Sequence, residues 1–319
     1  MKQHWIASVL LACTAAVAQA QSWPARPVRM ILAFPPGGPT DIVSRVLAQK
    51  LSEQLGQQVL VDNKPGAGGN IGAELAARAP NDGYTIFYNT SAIVINPALY
   101  GKAGYDTLKD FVPVVLTAAI PLVLVLHPAV PAKTMKEFVA LAKSKPGQIN
   151  YSSSGSGTIT HLASAMLSAQ MGLDTQHVPY KGSAPGLVDL AAGQTQFMTD
   201  TINTALPYIK DGRLRAIAVT SARRSTVLPD LPTFRESGLP GFDAAAWQGV
   251  VVPAGTPPDI VNRLNAEINK ALQDPGVRAR LSGQGADVLG GTPADYGAYI
   301  RAEMPRWARA IKDSGAKAE

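Results

Sequence analysis

Two glycine-rich turns carry the chemistry this chain offers most openly. The first, Pro35-Pro36-Gly37-Gly38-Pro39-Thr40-Asp41, lies between an apolar run and a helical pattern; the second, Ser152-Ser153-Ser154-Gly155-Ser156-Gly157-Thr158, stands in the same relation to another such pair. A glycine turn entering a helix exposes unbonded backbone N–H groups at the positive end of the helix dipole, which suits a phosphate or a carboxylate. Taken singly, each is also an ordinary strand-to-helix turn rich in capping residues. Two of them, at the carboxyl ends of strands where α/β folds hold ligands, favour the binding reading. Neither is a P-loop, because G-x-x-x-x-G-K-[ST] is absent, and residues 66–72 (GAGGNIG) match dinucleotide spacing only loosely.

Catalytic and metal chemistry find less support. Beyond the first twenty residues the histidines are His127, His161 and His177, and no pair has a metal-site spacing. No metal and no cofactor are expected. G-x-S-x-G is missing, and no Asp–His pair is spaced to activate Ser153, Ser154 or Ser156, which leaves a secreted hydrolase as a remote alternative. His161, one turn into the helix after the second glycine turn, either packs or faces a cleft. Asp41 reads as a helix-start acid favoured by the dipole, or as a group that shapes its loop or meets a ligand amine or hydroxyl. Asp200 in FMTDT lies at a strand end, where aspartate is disfavoured, and so asks for a further role. Trp247 is open between a core ring and a pocket wall. Lys181 in VPYKGSAP is the cation nearest the grip by motif, with a solvated turn residue as its plain reading.

The elements that position these turns alternate. Residues 28–34 (VRMILAF) form a buried strand; Val43, Leu47, Leu51 and Leu55 then recur at helical spacing until Gly56. Strands follow at 59–61 and 84–88, with a helix over 71–79 between them. After an extended apolar stretch at 111–126, Thr134-x-x-Glu137 opens a helix to about Ser144 as a capping box. Strands at 149–153, 177–178, 196–198 and 215–219 alternate with helices over 160–171 and from Ser183 to about Gly193. The C-terminal part is helical, with starts at Thr256-Pro257, Asp274-Pro275 and Thr292-Pro293. Two α/β units result, and the last helices have no sheet of their own to cover. A strand near 249–252 therefore returns the chain to the first unit, so that crossings near 114–126 and 242–252 join two lobes around a cleft.

Composition and the first twenty residues bound the setting. Hydrophobic residues are 46% and charged residues 16% of 319, which excludes disorder and a coiled coil. The formal charge of +6 is scattered and aromatics are 6%, so nucleic-acid binding is not expected. Lys2, the apolar run 6–17 and Ala18-Gln19-Ala20 spell an export signal over residues 1–20. The sole cysteine, Cys13, lies within it, so no disulfide follows; Leu10-Leu11-Ala12-Cys13 faintly suggests a lipid-anchored form as the lesser alternative.

The combination FPPGGPTD, RVLAQKLSEQLGQQVLVDNKPGAGGNIGAE, NDGYT, INPALY, VPYKGSAP and PAGTP resembles the Bug-type receptors, periplasmic solute-binding proteins of tripartite tricarboxylate transporters. The resemblance runs from Trp23 to the C-terminal helices. It implies an α/β, two-lobed type II periplasmic binding-protein fold, each lobe a mainly parallel sheet flanked by helices. Residues 21–120 and 248–319 would form one lobe and 121–247 the other. It also implies a small organic carboxylate gripped between the two glycine turns, largely by backbone groups and ordered water, and a membrane permease as partner. The ligand-binding set expected on this basis is Phe34, Gly37, Gly38, Thr40, Asp41, Ser91, Ser153, Ser156, Gly157, Thr158, His161, Asp200 and Trp247. Where relatives often show Gly-Asn-Gly-Ser, this chain has Ser154-Gly155-Ser156-Gly157-Thr158, which bears on the ligand rather than on the architecture. The expected protein is periplasmic, monomeric and non-catalytic; a receptor that signals to a sensor kinase is the alternative within binding.

Overall fold

The computed structural model describes residues 23–242 and 244–317. The expected export signal, 1–20, lies outside the described residues. The chain opens with β1 (Val28–Leu32), α1 (Pro39–Leu55), β2 (Val59–Asn63), α2 (Asn70–Ala77), β3 (Thr85–Thr90) and α3 (Ala92–Tyr100). The long strand β4 (Phe111–Leu126) leads to α4 (Met135–Ser144), β5 (Ile149–Ser153), α5 (Ile159–Met171), β6 (Thr175–Pro179), α6 (Ser183–Ala191), β7 (Phe197–Thr201), α7 (Ile202–Lys210) and β8 (Arg215–Val219). A second long strand, β9 (Ala245–Pro253), returns to α8 (Pro258–Gln273), α9 (Pro275–Ser282), β10 (Asp287–Val288) and α10 (Pro293–Ser314).

Strand order is β2-β1-β3-β9-β4-β7-β5-β6, with β8 and β10 also paired to β4. Each α/β unit supplies a parallel group, β2-β1-β3 and β6-β5-β7. The antiparallel pairs all involve β4 or β9. The sheets are thus parallel in the strands that carry the glycine turns and antiparallel where the long strands join them. Residues 111–121 of β4 pair with β9, whereas 122–126 pair with β7 and β8. Ile120 and the run from Leu122 to Leu126 are fully buried, as expected of a strand covered on both faces, and this explains the unbroken apolar stretch in the sequence.

Several helix starts follow the written signals and some depart from them. Thr292 and Asp295 form a reciprocal capping box on α10, and Asp274 accepts from the amides of Gly276 and Val277 to cap α9. At α4, Thr134 accepts from Glu137 N, but the Glu137 carboxylate reaches Lys133 N instead of the cap residue. Thr256-Pro257 starts one residue late: Pro257 is the N-cap and Pro258 opens α8, while the Thr256 hydroxyl donates to Pro253 O at 2.7 Å. Helix α3 is not announced by patterning, because Pro97 stands inside it. Proline removes the amide that would bond the carbonyl four residues back. Here the Thr107 hydroxyl donates to that carbonyl, Ile93 O, at 2.6 Å.

The last helix ties the halves together. α10 packs against β4, α3 and α5. Glu303 on it is 5% exposed and accepts from the indole N–H groups of Trp247 (2.9 Å) and Trp307 (2.7 Å), with Arg306 on its other oxygen at 2.6 Å. Three donors satisfy a carboxylate that burial would otherwise make costly.

Candidate ligand-binding site

A cavity of about 690 Å³, its mouth included, lies where both parallel groups point their carboxyl ends. The first turns of α1, α3, α5 and α6 contribute to its wall, as does Thr201, the N-cap residue of α7. The first turn of a helix leaves backbone N–H groups without intrahelical acceptors. Among the described residues, no side chain caps α1, α3, α6 or α7. Lys181 is the one charged side chain along the lining among the described residues. The site is therefore rich in neutral donors and helix dipoles and poor in formal charge.

The first glycine turn is braced from behind. Gly37 has φ +78°, and its amide donates to Asp41 Oδ2 at 3.0 Å. Asp41 is 4% exposed and also accepts from Arg45 Nε (2.9 Å) and Asn63 Nδ2 (3.1 Å). Burial alone would raise its carboxyl pKa, but hydrogen bonds from Arg45, Gly37 and Asn63 outweigh it and hold it below the usual carboxylate range. Of the two alternatives for Asp41, loop shaping describes its contacts. Phe34, Gly38 and Thr40 line the cavity, whereas Gly37 and Asp41 do not.

The second turn is also committed internally. Gly157 N donates to His161 Nδ1 at 3.3 Å and Thr158 N to Gly155 O at 3.2 Å, so both amides have acceptors within their own turn. The His161 ring stacks on His177 with centroids 4.0 Å apart and planes within 6°. His177 Nε2 shares a hydrogen bond with Ser153 Oγ at 2.6 Å, and that oxygen accepts from Gly155 N. Burial depresses the His177 pKa to about 4. Ser153 is fully buried and does not line the cavity. Thr158 lines the cavity; Ser153, Ser156, Gly157 and His161 do not, and the amides that remain on the wall belong to Ile159 and Thr160.

Ser156 and Gly157 instead meet the first unit. The Tyr100 hydroxyl donates to Ser156 O at 3.0 Å. A Cβ on Gly157 would lie 2.6 Å from Asn96 Oδ1, and one on Gly68 would collide with Ser156 O. Gly68 thus lets backbone approach backbone, whereas Gly157 leaves room for the side chains of Asn96, Leu99 and Tyr100.

Asp200 and Trp247 both lie one layer away from the cavity. Asp200 is fully buried and accepts from Ser183 Oγ and Thr204 Oγ1, each at 2.8 Å; burial raises its pKa to about 6 despite these bonds. Ser183 does line the cavity, so Asp200 orients a wall residue. Trp247 faces Glu303, and the residues of β9 that line the cavity are Ala246 and Gln248. Successive strand residues face opposite layers, so a tryptophan in the α10 layer puts its neighbours on the cavity side. Ser91 also lines the cavity; its amide donates to Trp247 O at 3.1 Å. The sequence reading missed Gln248, Thr160, Ser183 and Thr201, and only the period-two pattern around Trp247 signalled the first of them. Among the described residues no cluster of three or more His, Cys, Asp or Glu could hold a metal.

Two parallel α/β units joined by long antiparallel strands, with helix N-termini around a cavity between them, define a periplasmic binding-protein fold. The solved periplasmic binding protein BugD superposes with a TM-score of 0.88 at 36% identity, covering 93% of this chain and 100% of that one. The family model for the tripartite tricarboxylate transporter family receptor matches residues 43–316, and the chain belongs to that family of solute-binding receptors. BugT of Bordetella pertussis (strain Tohama I) is 38% identical over 305 residues, which is 95% of this chain and 94% of that one. The R. palustris protein Rpa4515, solved with adipate, superposes with a TM-score of 0.90 at 36% identity, covering 92% and 99% of the two chains.

Proposed function

We propose that this receptor captures a small organic carboxylate in the cavity between its lobes, in the periplasm, and delivers it to a tripartite transporter permease. The observation that carries the reading is the convergence of five helix N-termini on a cavity lined by a single charged side chain. Each terminus contributes about 0.3–1 kcal/mol toward an anion when exposed and up to ~2 kcal/mol when partly buried. A dispersed donor set of this kind matches one or two carboxylates better than a compact, highly charged phosphate ester, which calls for cationic forks. A relative solved with adipate supports the same ligand class.

In this reading residues 21–120 and 248–319 form one lobe and 121–247 the other, with β4 and β9 as the segments that flex between them. The carboxylate meets the first turns of α1, which no side chain caps, and of α5, which Thr158 caps, while Asp41 and Asp200 shape the walls from behind. Ligand contacts to both lobes favour the closed form, because only differential affinity shifts such an equilibrium. Thermal unfolding across a panel of mono- and dicarboxylates tests the proposal. Ligand at 100 times its dissociation constant raises stability by about 2.7 kcal/mol. A panel in which no carboxylate shifts the midpoint, while other solutes do, overturns it.

A further inference from the structure

Gln248 is 1% exposed, lines the cavity, and has no hydrogen-bond partner for either Nε2 or Oε1 among the described residues. Its neighbour Ser91, also 1% exposed and on the lining, has an unpartnered hydroxyl. The two sit side by side, since Thr90 pairs with Gln248 across β3 and β9 and the Ser91 amide bonds to Trp247 O. Register leaves Gln248 no other layer to enter: its backbone is held between β3 and β4, and the Thr117 hydroxyl donates to its carbonyl at 2.9 Å. A buried carboxamide with both ends unsatisfied costs free energy, so its partners must come from what occupies the cavity it lines, ligand or ordered water.

We infer that Gln248, with Ser91, is the specificity-determining pair of this cavity, and that its ligand is a carboxylate bearing a hydroxyl or carboxamide. The inference rests on the carboxylate reading above and adds the chemistry of the second polar group. A carboxamide offers two N–H donors and one carbonyl acceptor. An alkyl group satisfies neither end, and an ionised carboxylate satisfies only the donors, leaving Oε1 facing negative charge. A hydroxyl or an amide both donates and accepts, and so completes Gln248. In strand order Gln248 lies between the two groups of helix N-termini, so a ligand whose carboxylate meets those termini carries its second group across β9.

Calorimetric titration of the full chain with matched pairs tests this: malate against succinate, and 4-hydroxybutyrate and succinamate against butyrate. In the wild type the hydroxyl- or amide-bearing member binds at least tenfold more tightly, because a site built to hydrogen-bond a group rejects the analogue that lacks it. In Gln248→Leu that preference falls to within about threefold. Gln248→Met, of similar length, gives the same result should the leucine variant fold poorly, and circular dichroism verifies both folds. Equal affinity within each pair in the wild type, or a preference that survives both substitutions, overturns the role of Gln248 and leaves the carboxylate reading intact. Absence of binding by every carboxylate in the panel overturns the carboxylate reading and this inference with it.

Discussion

The Tyr100 hydroxyl at the end of α3 donates to the carbonyl oxygen of Ser156 in the second glycine turn, 3.0 Å away, and so ties the first α/β unit to the second beside the cavity. The contact is made in the arrangement in which Gly68 and Gly157 also touch the opposite unit. Tyr100→Phe deletes the donor and keeps the ring. A single hydrogen bond contributes about 0.5–1.5 kcal/mol, so affinity for the bound carboxylate falls by roughly 3- to 10-fold while the unfolding midpoint of the ligand-free protein moves little. Calorimetry and thermal unfolding of the pair of proteins check this. A large loss of ligand-free stability with unchanged affinity means that the bond serves packing and not closure.

Gly38 is the N-cap of α1 and lines the cavity at φ −79°, a conformation open to any residue. A Cβ there would lie 3.4 Å from Pro35 O, an ordinary contact. Gly38→Ala therefore folds and binds within a few-fold of wild type. Gly38→Val adds methyl groups where the anion approaches the first turn and lowers affinity at least tenfold, at a stability cost of about 1 kcal/mol from a poorer cap. Isothermal titration with urea unfolding separates the two effects; wild-type affinity in a folded Gly38→Val protein removes α1 from the grip.

Lys181 is exposed and shares the cavity wall with neutral donors. Exposed ion pairs contribute about 0–1 kcal/mol, and dipoles shielded inside a closed cleft respond little to salt. Lys181→Ala accordingly weakens binding less than about fivefold, and raising salt from ~0.05 to ~0.15 M lowers wild-type affinity less than about threefold. Titrations at several ionic strengths read this directly. A steep salt dependence that disappears in Lys181→Ala makes the ammonium group the anchor.

His177 and Asp200 give opposite acid responses. Burial lowers the His177 pKa from 6.5 to about 4, so between these values the unfolded chain binds more protons and stability is lost as pH falls. Burial raises the Asp200 pKa from 3.8 to about 6, so over its window the folded chain binds more protons and stability is gained as pH falls. The two partly cancel in the wild type between pH 6.5 and 4. Asp200→Asn removes the gain, and its unfolding free energy drops more steeply with acid than that of the wild type. His177→Gln removes the loss and flattens or reverses the slope. Urea unfolding at half-unit pH steps checks both; parallel curves for all three proteins contradict the assignment.

The two glycine turns, the alternation of strands and helices around them and the apolar length of β4 were legible from residue types alone. These features are local: glycine, proline and capping residues act within one turn, and a strand covered on both faces must be apolar throughout. The family motifs carried the two-lobed architecture further than periodicity did. Which turn amides remain for a ligand was not local. The amide of Gly37 is taken by Asp41 and that of Gly157 by His161, and such bonds depend on side-chain directions that spacing does not disclose.

Helix α3 needed a hydroxyl fourteen residues away, Thr107, to satisfy the carbonyl that Pro97 left without a partner. The choice between Trp247 and Gln248 as the cavity residue was a matter of parity. A strand shows that neighbours face opposite ways, but which face meets which layer is decided elsewhere. Here it is decided by α10, from the far end of the chain, where Glu303 captures the Trp247 indole and so turns Gln248 toward the cavity.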